Sequence, residues 1–128
     1  MIYVDTSVVL ALLLSEVRQP PASFWTADLV TSRLTEYETW VRLHAYGHAQ
    51  ARGPAANDLF AELVLLELDE AACSRCRTPF PTPVRTLDAL HLSAVDTLHR
   101  SGQLALVATY DARMREAAVA MGFPLFPL

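Results

Sequence analysis

Short β-prone apolar runs alternate with longer helix-forming segments along this chain, and that alternation restricts the fold more than any other feature. Ile2-Tyr3-Val4-Asp5, Leu29-Val30-Thr31-Ser32 and Leu104–Thr109 read as strands, being short, mostly apolar and rich in β-branched or bulky residues. They lack the strict polar alternation of a half-exposed sheet, as suits parallel strands covered on both faces. Helical signatures lie between them. Val8–Leu14 is apolar on nearly every side and follows Thr6 and Ser7, whose hydroxyls can cap it. Pro21 can open a short helix carrying Phe24 and Trp25. Thr35 can cap a helix running through Tyr37, Trp40, Val41 and His44 toward Gly53-Pro54, and a further helix covers Ala55 to about Glu62. Leu63–Leu68 fits strand or helix equally, and Glu70–Cys76 reads as a short helix. Beyond the stiff Pro79, Pro81 and Pro83 connection, Thr86 can cap a long helix from Leu87 to about Arg100. Asp111–Met121 is the last helix, with Gly122 as its C-cap, and Pro124–Leu128 a final short strand. The expected fold is a three-layer α/β/α sandwich around a central, mostly parallel sheet.

A length of 128 residues suits one domain, residues 1–128. Hydrophobic residues make up 52% of the chain and charged ones 19%, which excludes a disordered chain or a coiled coil. No apolar run approaches the roughly 20 residues that span a bilayer, and the N-terminus lacks the basic segment of a signal peptide. Two cysteines imply no disulfide framework. A cytoplasmic protein without a membrane partner is the expectation. All ten basic residues are Arg, and the absence of lysine excludes P-loop and Schiff-base chemistry. Against fourteen acidic residues they leave a formal net charge of −4. A nucleic-acid substrate would therefore need a local Arg patch, a metal ion or a second subunit to offset repulsion.

In a parallel sheet, ligands bind beyond the carboxyl ends of the strands, where loops lead into helices. Acidic residues recur there. Asp5 closes the first strand, Glu36 and Glu38 follow the second, Asp88 lies just inside the long helix, and Asp111 follows the Leu104–Thr109 strand. Favourable interaction with helix N-termini, about 0.3–1 kcal/mol each, accounts for Glu36, Asp88 and Asp111 one at a time. It does not account for Asp5 at the end of an apolar strand, nor for the gathering. Two carboxylates 4 Å apart repel by about 4 kcal/mol at an effective dielectric of 20. A hard divalent cation relieves that repulsion, and an all-oxygen donor set selects Mg²⁺ or Mn²⁺. Asp96 is excluded from such a group, because eight helical residues place it about 12 Å beyond Asp88.

Other residues invite functional readings of less weight. Cys73-Ser74-Arg75-Cys76 is a lone C-x-x-C without further zinc ligands, better read as cysteines packed in a helix core. His91, one turn after Asp88, can reach a ligand or an acid, or simply pack inside the helix. Arg42, Arg85, Arg113 and Arg115 are near the acids in sequence and are candidates to grip phosphates. Phe24, Trp25, Tyr37 and Trp40 are more aromatic surface than a small monomer readily buries, which suggests a homodimer or partner-binding groove.

Asp5-Thr6-Ser7 after an apolar strand, Leu87-Asp88-Ala89-Leu90-His91-Leu92 and Val107-Ala108-Thr109-Tyr110-Asp111 together resemble the landmarks of PIN domains. The likeness is to the VapC-type toxins of type II toxin–antitoxin pairs, and it runs over essentially the whole chain. Ser32-Arg33-Leu34-Thr35-Glu36-Tyr37-Glu38 is similar to the segment that supplies the family's glutamate. The resemblance implies a metal-dependent endoribonuclease with Asp5, Asp88, Asp111 and Glu38 as catalytic metal ligands, Glu36 being the alternative because Val41 stands where the family commonly has a basic residue. It implies Mg²⁺ or Mn²⁺ as cofactor, an RNA substrate, products with 5′-phosphate and 3′-hydroxyl ends, and a cognate antitoxin. Thr6, Ser7 and Thr109 are candidates to orient those carboxylates or bound waters. The rival readings are a catalytically inactive binding module and a metal-dependent nuclease or phosphatase acting on a non-RNA substrate. An aspartyl phosphatase would want an acid two residues after Asp5, where Ser7 stands, and a lysine.

Overall fold

Strand geometry sends alternate side chains to opposite faces, and the first strand shows what this does with an all-apolar run. Ile2 and Val4 enter one buried cluster and Tyr3 the other. The computed structural model, which describes all 128 residues, builds on that division. The strands β1 (Ile2–Val4), β2 (Leu29–Ser32), β3 (Val64–Leu66) and β4 (Leu106–Ala108) pair in the order β3-β2-β1-β4, all parallel. One face carries α1 (Thr6–Leu13), α2 (Arg33–Ala45) and α3 (Ala49–Glu62), which contribute Val8, Val9, Leu13, Leu43, Ala56 and Phe60 to the first cluster. The short α4 (Glu70–Cys73) and a following 3₁₀ turn, Ser74–Arg77, brace α5 (Thr86–Arg100) on the opposite face. There α5 and α6 (Ala112–Ala120) bring Leu92, Val95, Leu98, Met114 and Ala117 to the second cluster. This is the expected α/β/α sandwich, and no helix is long and apolar enough to cross a membrane.

Several local expectations shift, each for a physical reason. The helix expected to run on to Gly53-Pro54 breaks earlier, at Gly47, whose φ of +71° favours a residue without a Cβ. Gly53 instead lies inside α3, where a Cβ would sit 2.9 Å from Cη2 of Trp40, so its role is to let α2 and α3 approach. Thr35 does not cap α2. Ser32 holds that place, and Thr35 faces inward, accepting a hydrogen bond from Thr31 Oγ1 at 2.7 Å. Likewise Arg85, not Thr86, is the N-cap residue of α5. Thr6 and Ser7 fall inside α1, and Asp5 caps it. The last expected strand shrinks to a bridge between Val107 and Leu125, because Pro124 and Pro127 cannot donate to a ladder.

The aromatic groove expected from Phe24, Trp25, Tyr37 and Trp40 is not formed as such. Phe24 is buried, Trp25 and Trp40 pack against the first cluster, and only Tyr37 projects into solvent, one turn from the exposed Val41. The cysteines are not core residues either: Cys76 is exposed and Cys73 half-buried, both as free thiols.

Candidate metal-binding active site

The strand order reverses at the centre of the sheet, since β1 leads to β2 on one side while β4 lies on its other side. A crevice opens at such a switch point, beyond the strand ends. Here it is a cleft of about 570 Å³, lined among others by Asp5, Thr6, Ser7, Glu38, Asp88, His91 and Asp111. Asp5 follows β1, Asp111 follows β4, Glu38 stands on α2 and Asp88 in the first turn of α5. The structure thus brings four of the sequence-selected acids to one cleft.

Glu36 is elsewhere. Its carboxylate pairs with Arg33 at 2.7 Å, and Arg33 also holds Glu67 at 2.7 Å. Positions 36 and 38 are about 200° apart around a helix, so one glutamate faces the cleft and the other does not.

Hydrogen bonds fix three of these carboxylates by one oxygen each. Asp5 Oδ2 accepts from Ser7 Oγ at 2.6 Å, Thr109 Oγ1 at 2.8 Å and the Ser7 amide at 3.3 Å. Glu38 Oε1 accepts from Thr6 Oγ1 at 2.9 Å and lies 2.6 Å from His91 Nε2. Asp111 Oδ1 accepts from the amides of Arg113 and Met114 at 2.8 and 3.0 Å, as an N-cap does. The second oxygen of each, Asp5 Oδ1, Glu38 Oε2 and Asp111 Oδ2, takes no part in these bonds. Thr6, Ser7 and Thr109 therefore act on the acids directly. Ser7 Oγ also accepts from the Tyr110 amide at 2.9 Å and Thr109 Oγ1 from the Asp111 amide at 3.0 Å, tying the ends of β1 and β4 together.

Charge balance differs among the acids. Burial pushes the Asp88 carboxyl upward, and the nearby Asp111 and Asp5 push it further, while Arg85 at 3.5 Å pulls it back only in part. Burial also pushes Glu38 upward, but the bond to His91, that ring's charge and the Thr6 hydroxyl outweigh it and hold Glu38 below its ordinary range. For His91, burial favours the neutral ring, yet Glu38 and Asp5 win and raise its basicity. The direction for this coupled pair is the same from either side: the carboxylate is held ionised by the imidazole.

The donor set fits a hard divalent ion. It is all carboxylate oxygen, and each of three acids keeps one oxygen out of the scaffold's hydrogen bonds. No three His, Cys, Asp or Glu side chains are drawn close enough to form a finished cage. That openness suits Mg²⁺, which retains several of its waters and takes only one or two protein carboxylates directly.

A stability prediction follows from Asp88. A carboxyl raised on folding contributes stability that is complete below its unfolded value and lost as pH rises through the folded one. Ionisation of Asp88 is therefore a liability of the metal-free fold. Thermal melts should show Asp88→Asn melting at or above wild type in EDTA, but gaining less from added Mn²⁺. A metal-free Asp88→Asn that melts well below wild type would contradict this.

Among the arginines, Arg42 and Arg85 line the acidic cleft, while Arg113 lines an adjoining one of about 290 Å³ together with Arg85 and Asp88. Arg115 is exposed on α6 and lines neither, so it drops out as a candidate. In the sequence, His91 is open between ligand contact and packing. The structure buries it to 2% exposure against Asp5 and Glu38. The available signal is its i+3 spacing from Asp88, which puts both on one side of α5.

Residues 2–120 match the PIN domain family. The chain is 33% identical over 127 residues to ribonuclease VapC35 of Mycobacterium tuberculosis, covering 94% of this chain and 92% of that one. It is 32% identical over 130 residues to ribonuclease VapC47 of the same organism, covering 96% and 93%. Among solved structures, a chain of a toxin–antitoxin complex from Klebsiella pneumoniae superposes with a TM-score of 0.65 at 15% identity, covering 100% of this chain and 98% of that one. With its sheet order, its switch-point cleft and these relatives, the chain belongs to the PIN domain family, in its VapC-type ribonuclease branch.

Proposed function

We propose that this protein is a Mg²⁺- or Mn²⁺-dependent endoribonuclease and the toxin of a toxin–antitoxin pair. The observation that carries the reading is the shared cleft of Asp5, Glu38, Asp88 and Asp111, in which three carboxylates have one oxygen tied to the scaffold and one free of it. One or two of these four side chains would hold the ion directly and the others through its waters. When bound, Mg²⁺ or Mn²⁺ lowers the pKa of a water and stabilises charge on the scissile phosphate. The protein's own part is positional. Ser7 and Thr109 hold Asp5, Thr6 holds Glu38, and the first turn of α6 holds Asp111. Arg42 and Arg85 supply positive charge at the cleft for flanking phosphates.

The test is incubation of purified protein with total RNA in Mn²⁺ or in EDTA, with mapping of the new 5′ ends. The expected result is cleavage only with metal, leaving 5′-phosphates. Cleavage that persists in EDTA, or that leaves cyclic phosphates, contradicts the reading. Between the two glutamates the expectation is unequal. Glu38→Gln should lower cleavage about 10²-fold or more, the scale of losing one charged contact to the ion. Glu36→Gln should leave the rate near wild type, since it removes only a partly exposed ion pair.

The relatives' names and the toxin–antitoxin complex support an antitoxin partner for this chain. A homodimer belongs to the same reading, through the exposed Tyr37 and Val41 of α2. Sedimentation with and without co-expressed antitoxin tests both; a monomer that ignores the antitoxin would contradict them.

A further inference from the structure

The back wall of the cleft contains a hydrogen-bonded chain that crosses three elements. Tyr3 on β1 places its hydroxyl 2.8 Å from His91 Nδ1, and His91 Nε2 reaches Glu38 Oε1 on α2 at 2.6 Å. Both side chains of the inner pair are buried, Tyr3 completely, and their rings meet edge-on with centroids 6.1 Å apart. The imidazole has no room for an arbitrary orientation. With Tyr3 occupying Nδ1, the other nitrogen must face the acids, at 2.6 Å from Glu38, 3.7 Å from Asp5 Oδ1 and 3.3 Å from Thr6 Oγ1.

We propose that His91, seated by Tyr3, is a positioning residue that fixes Glu38 with Oε1 toward the protein and Oε2 toward the cleft. The inference rests on the reading of Glu38 as a metal ligand. Its geometry is independent of the ring's charge. A neutral ring with the proton on Nε2 accepts from the Tyr3 hydroxyl and donates to Glu38; a charged ring donates to both. Burial raises the Tyr3 phenol well above its ordinary value, so it remains a hydroxyl in either case. Thr6 donates to the same Oε1, so the two bonds act together in leaving Oε2 free. Partners that orient a metal ligand typically change metal affinity 10- to 100-fold when removed.

The test uses the full chain and Mn²⁺ as probe, with affinity read by calorimetry on protein shown by circular dichroism to be folded. In His91→Gln the amide nitrogen can stand near the place of Nε2; in His91→Asn it stands near that of Nδ1 and falls short of Glu38. Wild type should bind Mn²⁺, His91→Asn should bind about 10- to 100-fold more weakly, and His91→Gln should recover most of the loss. Tyr3→Phe removes only the hydroxyl and should weaken binding in the same direction as His91→Asn. A purely structural His91 would lower the urea midpoint of both His91 variants while leaving the Mn²⁺ affinity of folded protein unchanged, which overturns the inference. Absence of Mn²⁺ binding by wild type would instead overturn the metal-site reading beneath it.

Discussion

Asp5→Asn is expected to lower metal-dependent RNA cleavage by about 10²- to 10³-fold, the several kcal/mol that a carboxylate-held ion supplies to phosphoryl chemistry. The substitution is nearly isosteric, so the loss should come from charge. Asn retains an oxygen that can accept from the Ser7 and Thr109 hydroxyls, which now hold Asp5 Oδ2 at 2.6 and 2.8 Å. Its amide group then occupies the place of Oδ1, the oxygen that faces His91 and the cleft. An amide nitrogen cannot ligate a hard cation in that place. Folding should change by no more than about 1–2 kcal/mol, the scale of weakened hydrogen bonds to a buried group. The measurement pairs initial cleavage rates with a urea melt on the same preparation. A folded Asp5→Asn that still cleaves at the wild-type rate would remove Asp5 from the site.

Leu92→Ala should cost about 2–5 kcal/mol of stability, more than any of the substitutions at the cleft. Leu92 has no exposed surface and lies in the second core cluster with Tyr3, Val30, Val107 and Met114, where β1, β2 and β4 meet α5 and α6. Truncation leaves a cavity that two rigid layers cannot close. Against a typical domain stability of about 5–15 kcal/mol, that is a large fraction. The same turn of α5 carries His91 and the preceding turn carries Asp88, so the loosened helix should also cost activity at temperatures below the melt. Leu104→Ala is the control, because that side chain is 74% exposed and its loss should stay within about 0.5 kcal/mol. A urea midpoint for Leu92→Ala that matches the control would contradict the packing described.

Much of the fold is legible from residues alone. The apolar runs of β1 and β4 and the mostly apolar, β-branched character of β2 announce a covered parallel sheet, and a carboxylate ending an apolar strand singles out Asp5 without any geometry. Period and spacing also limit the glutamates to one of two. Choosing between Glu36 and Glu38 needs the helix phase, which the sequence obscures by offering Thr35 as a cap. The chain uses Thr35 as a buried hydrogen-bond acceptor instead. The helix break is misplaced for a related reason. Gly53 looks like punctuation, but its lack of a side chain serves the contact with Trp40, and the turn falls at Gly47. The role of His91 is not readable locally, because its partners Tyr3 and Glu38 lie 88 and 53 positions away. Tertiary pairing of this kind leaves no periodic trace.

If Asp5, Glu38, Asp88 and Asp111 share one divalent-ion site, anomalous diffraction from crystals grown with Mn²⁺ will show it most directly. The expected result is a manganese peak inside the cleft, bordered by Asp5 and Glu38 and lost in Asp5→Asn crystals. No peak there, or a peak held instead by Glu36 of α2 and Glu67 after β3, would contradict the shared site.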